Sequence, residues 1–467
     1  MARIAPVNAK GTRDFLPRDL VRRNRVFALL RETFERHGYE PLETPAVENT
    51  HVLEGKYGEE GDRLLFRILK RGRDLESGFR GAEALPEDGR GAASLARELS
   101  NEALRYDLTV PFARVIAARQ NDIVFPFRRY QMQPVWRADK PQRGRYREFY
   151  QCDVDCVGSR SMTVDAEMAA IHCEVFTRLG FASFVTRINH RGLLAALMES
   201  CGVPEELRGE ALVTIDKLDK IGVEGVRGEL VKAGLSDTST DKLMEILEVS
   251  GAPRDVVAAV RPLLGDHVPG AAALRELDEV FAALAMMGVP AERYRFDLSL
   301  VRGLSYYTGI IYETVLTDST LGSLGGGGRY DRLIGMFTGQ DRPCVGISFG
   351  LERIFDALDE KGLLADEAST TTQALVTLFA PETLAASFAV ARALRAAGMR
   401  TEVYTEPKDL RTQLTFANKK GIPLAVILGP DEAARGEVVL RDLRSGAQEP
   451  VAQEAVAARA AALLSRS

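Results

Sequence analysis

The segment RYREFYQCDVDCV, residues 145–157, alternates so regularly that it reads as one strand with two chemically different faces. Arg145, Arg147, Phe149, Gln151, Asp153 and Asp155 share one side, and Tyr146, Glu148, Tyr150, Cys152, Val154 and Cys156 share the other. The residues before it, Tyr130 to Arg137, also read as strand, and Asp139, Pro141 and Gly144 between the two are turn formers. A long hairpin with a charged tip is therefore expected. A solvated edge hairpin would account for Lys140 and Arg143. It would not account for a face mixing arginines with Gln151 and Asp155, because charges under cover need partners or a ligand. A ligand that is anionic at one end and donates hydrogen bonds at the other would suit such a face.

The flanking sequence frames this hairpin as part of an α+β core. Phe27, Leu30 and Phe34 recur at helical spacing before Gly38, which predicts a helix over 18–37. YEPLETPAVE reads as strand interrupted by prolines. From 71 to 100 the chain turns Gly-, Ala- and Glu-rich with weak periodicity, the pattern of a mobile insertion. A second helix is expected over 164–179, with Met168, Ile171, Val175 and Leu179 inward. Helical patterns then fill 190–285 and interrupt the strand-rich material. This gives a core of residues 1–189 and 286–365 around a helical insertion, a polar linker at 366–373, and a small strand-helix-strand α/β domain over 374–467.

Composition narrows the partners. A net charge of −5 over 467 residues argues against whole-molecule attraction to nucleic acid, so any such contact must use local basic patches. Five cysteines without a C-x-x-C pair point to reduced thiols, with Cys152 and Cys156 as core residues, and give no zinc signature. No apolar run approaches a membrane span, and the first residues lack the apolar core of a signal peptide, so a cytoplasmic protein is expected.

Four further stretches carry chemistry. SLGGGGRYD, 323–331, reads as a loop that lets backbone amides approach a ligand, or as a tight turn into a helix. CVGISFGLERIFDAL, 344–358, reads as strand, glycine and helix, with Arg353 in the first turn, where the helix dipole disfavours a cation unless an anion is present. LVRGLSYYTG, 300–309, sets Arg302 near Tyr306 and Tyr307, and RYDLTVPFAR contributes Asp107 and Thr109, which could equally cap a helix.

Together the hairpin, the glycine run and GLER resemble the signatures of class II aminoacyl-tRNA synthetases, with ETPAVE similar to the first of them. KGTRDFLP, RYDLTVPFAR, RGRYREFYQCDVDCVG, LVRGLSYYTG, GGGGRYD and VGISFGLER further resemble, in order and spacing, the histidyl-tRNA synthetase family. LRTQLTFANKKGIPLAVILGPDE is similar to that family's anticodon-binding domain. The resemblance implies an antiparallel class II core and a reaction in which ATP activates L-histidine as an adenylate before transfer to tRNA(His), with Mg²⁺ bridging the phosphates. It implies Arg137 and Arg302 as catalytic contacts to the α-phosphate and carboxylate, and Arg137, Arg145 and Arg353 as ATP contacts. It implies Asp107, Leu108, Thr109, Arg137, Gln151, Asp155, Arg302, Tyr306 and Tyr307 around histidine. Lys140, Gln142 and Arg143 at the hairpin tip, and Arg411, Lys419 and Lys420 in the last domain, are the expected tRNA contacts. A homodimer is expected on the same ground. The chain departs from the family at Ser305, where an Asp is usual. The competing reading is a non-catalytic paralogue resembling the regulatory subunit of ATP phosphoribosyltransferase. That protein typically lacks the last domain and has a degraded adenylation site, whereas residues 374–467 and Arg137, Arg302 and Arg353 are all present here.

Overall fold

The computed structural model describes residues 4–87, 90–301, 306–364 and 369–465. The chain divides into two compact units, one of residues 1–13 and 28–363, the other of residues 14–27 and 364–467. In the first, the expected hairpin is formed by Phe127–Trp136 and Glu148–Val157, paired antiparallel along their whole length. It lies inside an eight-stranded sheet ordered Glu40–Pro41, Phe127–Trp136, Glu148–Val157, Cys344–Gly350, Gly325–Arg329, Ile310–Leu316, Phe184–His190, Tyr294–Phe296. The two outermost pairings are parallel and the inner ones antiparallel.

Alternation gives this sheet one apolar and one polar face. Cys152, Val154, Cys156, Ile347 and Phe349 are buried, and Phe349 meets His172 and Phe176 of the helix Met162–Arg178, ring centroids 4.7 and 5.9 Å apart. That helix starts where Ser161 accepts a hydrogen bond from the Thr163 N–H, and it buries Met168, Ile171 and Val175 as their spacing requires. The opposite face is built from rows of directly paired residues. One row runs Arg129, Asp155, Gly346, Gly328, and the next runs Gln131, Asp153, Ser348, Gly326, Glu313, Arg187.

Two sequence expectations need correction. The glycine run is not a loop leading into a helix: Gly325–Arg329 is a strand in the middle of the sheet. Its glycines are required by crowding between strands. A Cβ on Gly327 would lie 2.0 Å from the Gly346 carbonyl oxygen, and one on Gly346 would lie 1.9 Å from Asp155 Oδ1. Nor is 71–100 an unstructured insertion, since it forms the helices Gly72–Ala84 and Ala92–Leu99 and leads into the strand Ser100–Leu104. Its small residues serve close packing, because a Cβ on Gly78 would come within 2.5 Å of the Glu98 carbonyl oxygen. That strand pairs on both sides, with Val47–Asn49 and Arg67–Leu69, in a separate three-stranded sheet.

The residues between strands Phe184–His190 and Tyr294–Phe296 are helical, as expected, from Arg191–Ser200 to Val268–Met286. The second unit has a five-stranded sheet ordered Thr401–Val403, Ala374–Val376, Leu424–Ile427, Glu437–Asp442, Gln448–Ala452, with helices Leu384–Ala396, Leu410–Lys420 and Val456–Leu464. Residues 366–368 of the expected linker lie outside the described residues.

Crowding at the central glycines gives a direct test. Gly327→Ala should destabilise the protein by about 1 to 3 kcal/mol, since a backbone oxygen cannot swing aside. Gly209→Ala, in the helix Glu205–Ile215 with nothing within 4 Å of the new methyl, should stabilise it by roughly 0.5 to 1 kcal/mol. Thermal midpoints of the two variants, compared with the parent chain, decide the matter.

Candidate active site

A cleft of about 720 Å³ opens over the polar face, between the hairpin tip, the strand Gly325–Arg329 and the start of the helix Leu351–Glu360. Its cations are Arg137, Arg143, Arg145, Arg353 and Lys220, and its carboxylates are Asp139 and Glu352. Both carboxylates already have protein partners. Asp139 is 2.8 Å from Arg145, and Glu352 accepts the Tyr150 N–H at 3.0 Å. The cleft is thus an anion site.

Arg137 closes the first hairpin strand. Its Nε donates to the Tyr106 carbonyl at 3.0 Å, and its guanidinium lies 4.3 Å from the Tyr106 ring centroid and 5.1 Å from that of Phe149. These contacts fix the group without neutralising it. Arg353 occupies the first turn of its helix as expected, and the unfavourable dipole there is met by two carbonyls. Nε donates to Gly144 at 3.1 Å and Nη1 to Ser323 at 2.8 Å, so one side chain holds the hairpin tip and the approach to the glycine strand together. The tip is a tight turn in which Gln142 and Arg145 exchange backbone hydrogen bonds around Gly144, whose φ of 70° suits glycine.

Deeper along the same face the charge reverses. Asp107, Asp153 and Asp155 are all buried, and one fully buried guanidinium, Arg129, faces the last two. Arg129 Nη2 is 2.7 Å from Asp155 Oδ2, and the Tyr330 hydroxyl donates to Asp155 Oδ1. Asp155 is therefore held by the scaffold on both oxygens. Asp153 has a hydrogen bond from the Ser348 side chain but no cation within ion-pair distance among the described residues, and its Oδ1, the Oε1 of Gln151 and, apart from its ion pair, Asp155 Oδ2 accept no hydrogen bond there. Gln151 Nε2 donates to the Ser348 hydroxyl at 2.9 Å, so these acceptors lie along one short polar track. Burial pushes the Asp153 carboxyl up to about 7, with Arg129 opposing and the neighbouring Asp155 charge adding to the rise. Asp155 is raised by the same burial against the same arginine. A carboxylate-rich pocket with open acceptors calls for a cationic hydrogen-bond donor.

The third wall begins at Asp107, where the helix-cap reading holds. It does cap the helix Thr109–Arg119, accepting the Val110 N–H at 3.1 Å, but it also takes the Tyr57 hydroxyl at 2.9 Å and the Tyr306 hydroxyl at 3.4 Å. Burial is the main reason its carboxyl is raised. Leu108 is fully buried, and Thr109 bonds Tyr306 through its side chain. Tyr306 and Tyr307 meet edge to face, centroids 5.0 Å apart, and Tyr307 crowds Gly328 on the glycine strand.

The structure places Gln151 in the cleft lining with Arg137, Arg145 and Arg353, while Asp107, Thr109, Asp155, Tyr306 and Tyr307 lie outside that lining, with the Arg137 charge acting on Asp107. Arg302 and Ser305 lie outside the described residues. Gln142 and Arg143 line the cleft, with Arg143 also 3.3 Å from Glu360, while Lys140 is exposed. In the second unit Arg411 and Lys419 are exposed on the helix Leu410–Lys420, whereas Lys420 is ion-paired with Glu402. Sequence reasoning left four contributors unassigned. Asp153 already stood on the correct face by alternation and needed only to be counted. Arg129, Ser348 and Tyr330 become visible only through strand register.

An antiparallel sheet with an anion cleft beside an acidic pocket, joined in one chain to a small α/β unit, is the layout of a class II aminoacyl-tRNA synthetase. Comparison with known proteins makes the assignment specific. The histidyl-tRNA synthetase family model matches residues 96–354, and the anticodon binding domain model matches 373–463. The histidine–tRNA ligase of Cytophaga hutchinsonii is 42% identical over 445 residues, covering 95% of this chain and 96% of its own. The crystal structure of histidyl-tRNA synthetase from Nostoc sp. PCC 7120 superposes with a TM-score of 0.84 at 34% identity, over 99% of this chain and 100% of the other. A Bacillus halodurans structure titled ATP phosphoribosyltransferase regulatory subunit/histidyl-tRNA synthetase shares the fold at 23% identity and TM-score 0.73, over 91% and 99%. The chain belongs to the histidyl-tRNA synthetase family.

The raised Asp153 carboxyl predicts a pH signature. Folding favours its protonated form, so its contribution to stability is full below the ordinary carboxylate range and is lost as pH rises through about 7. Asp153→Asn cannot ionise. Relative to the parent chain, its thermal midpoint should gain as pH rises from about 4 to about 7 and level off above that, and parallel pH profiles would refute the assignment.

Proposed function

We propose that the basic cleft holds the phosphates of ATP and that the acidic pocket beside it holds the imidazole and ammonium of L-histidine. The single observation that supports this most is the reversal of charge along one sheet face, from Arg137 and Arg353 to Asp153 and Asp155. A zwitterion whose carboxylate must meet a triphosphate needs that order of charges. Membership of the family makes the chain a histidine–tRNA ligase with ATP as substrate. The non-catalytic reading is the weaker one, because the cationic cleft is intact.

In the first step a histidine carboxylate oxygen bonds the α-phosphorus, the α–β phosphoanhydride bond breaks, and pyrophosphate leaves. The carboxylate is already ionised at neutral pH, so alignment and charge neutralisation do the work and no general base is needed. Arg137 is proposed to contact the reacting carboxylate and α-phosphate, with Arg302 assigned to the same step by resemblance. Arg353 and Arg145 are proposed for the outer phosphates. Mg²⁺ would arrive with the nucleotide. In the second step a ribose hydroxyl of the terminal tRNA adenosine takes the acyl group and AMP leaves. Lys140, Gln142 and Arg143 are proposed to meet the acceptor end, and Arg411 and Lys419, with Lys420 less available, the anticodon end.

Among the histidine contacts, Gln151 and Asp153 are proposed as direct acceptors. Asp155, clasped by Arg129 and Tyr330, sets their position and the local charge, while Asp107, Leu108, Thr109, Tyr306 and Tyr307 shape the wall. A homodimer is proposed on family resemblance. No helix among the described residues is long and apolar enough to cross a membrane, and a cytoplasmic location is proposed with it.

Histidine-dependent exchange of pyrophosphate into ATP tests the reading. Arg137→Ala should slow exchange by about 10² or more, and an unchanged rate would remove Arg137 from the chemistry. Asp153→Asn should raise the histidine KM roughly ten- to a hundredfold while leaving the ATP KM nearly constant, since one charge-assisted hydrogen bond is worth about 1.5 to 3 kcal/mol. Equal shifts in both constants would make Asp153 a scaffold residue.

A further inference from the structure

One lining residue of the cleft comes from outside the hairpin, the catalytic sheet with its connecting loop 317–324, and the helix Leu351–Glu360. Lys220 belongs to the helical insertion, yet it contributes to the same walls as Arg137 and Arg353. Its position is fixed by its neighbour. Asp219 accepts a hydrogen bond from Arg187 Nη1 at 2.6 Å, and Arg187 is rooted in the core strand Phe184–His190. Arg187 is 6% exposed and is already served by Asp297 at 2.6 Å, Ser299 at 3.0 Å and Glu313 at 3.5 Å. Its charge does not need a third carboxylate, least of all one whose side chain is 66% exposed. What the Asp219 contact does accomplish is to pin the insertion to the row that runs through Glu313 to Gly326 on the cleft wall.

The backbone on the other side of Lys220 is shaped to the same end. The helix Leu218–Lys232 breaks at Gly222, whose φ of 70° and ψ of 175° are open to glycine and strained for other residues. The single turn before the break is therefore oriented by Asp219 and not by the helix beyond. Among the described residues no carboxylate pairs with the Lys220 ammonium. Thr320, Leu321, Gly322 and Ser323, which line the same cleft, carry no acidic side chain either. An anchored cation facing an anion cleft, with no protein counter-ion, is placed for a ligand.

We propose that Lys220 is a positioning residue of the activation step, its ammonium contacting the phosphates of the bound nucleotide. The helical insertion thereby completes a phosphate subsite built otherwise on the hairpin, the catalytic sheet and the helix Leu351–Glu360. The proposal rests on the reading of this cleft as the nucleotide site, and it adds to that reading a role for a segment to which sequence reasoning gave none.

The experiment is histidine-dependent pyrophosphate exchange with the full-length chain, without tRNA. Lys220→Met should raise the ATP KM about three- to tenfold, the range of a single solvent-accessible hydrogen bond to charge, and should leave the histidine KM within about twofold. Lys220→Arg should recover most of the loss, which a merely structural role would not allow. Asp219→Ala should reproduce part of the ATP effect, because the turn is then unpinned. An ATP KM unmoved by Lys220→Met overturns the proposal, as does failure of the arginine variant to recover, or an effect confined to the tRNA KM in the full charging reaction. If the unmodified chain shows no histidine-dependent exchange, the reading of the cleft falls and this proposal with it. If it exchanges normally and Lys220→Met is indifferent, Lys220 alone is misassigned.

Discussion

The ion pair between Arg129 and Asp155 is the constraint around which the polar face is arranged. Both residues are buried in the interior of the sheet on directly paired positions, 2.7 Å apart. Taking two charges out of water costs several kcal/mol per ion, and their attraction offsets this only when geometry is good and the remaining polar atoms are satisfied. Here the Tyr330 hydroxyl takes the second carboxylate oxygen, and Arg129 lies 4.2 Å from the Phe112 ring centroid. The pair leaves no room beyond itself. Gly346 is paired with Asp155 on the next strand, and any side chain there would displace the carboxylate. Gly327 in turn must pass the Gly346 carbonyl. The glycine run is thus a consequence of placing a charged pair in a central sheet, and the flat floor it leaves is available to substrate.

Once that pair is closed, the arrangement around it follows by charge accounting. Arg129 can neutralise one carboxylate, and Asp155 has it. Asp153, two residues along on the same face, remains buried without a cation of its own, which is why its carboxyl is raised and one of its oxygens is open. A bound cationic donor would supply the missing charge. A site that is balanced only when its substrate is bound discriminates strongly, because an analogue lacking the donor leaves buried acceptors unpaired.

Much of this was legible in the chain and some of it could not be. The hairpin, its two faces, the helix Met162–Arg178 and the helical insertion all follow from periodicity, since burial on one side forces period two in strands and period 3.6 in helices. The motifs around Asp107, Arg137, Gln151 and Arg353 were legible because each is local. Failure came where small residues were read by composition. Four glycines in a row and a Gly-, Ala-rich stretch both suggest loop, yet both mark places where backbones approach within a side chain's width, at Gly327 against Gly346 and at Gly78 against Glu98. Local sequence does not say which strand will lie alongside. For the same reason Arg129 could not be assigned to Asp155, nor Ser348 to Gln151, before the register was known.

The same limit explains why the insertion was given no part in the chemistry. Its helices carry ordinary amphipathic patterns, and Asp219 and Lys220 look like any solvated pair at the start of a helix. Their meaning depends on Arg187, more than thirty positions earlier, which binds Asp219 while sharing a row with Glu313 and the glycine strand. A rigid row across a sheet can transmit position as well as charge. The row Asp153, Ser348, Gly326, Glu313, Arg187 crosses the sheet to the insertion, where Arg187 meets Asp219 beside the exposed Lys220. Placing such a group on an insertion, instead of on the crowded sheet itself, avoids adding another buried charge beside Arg129 and Asp155.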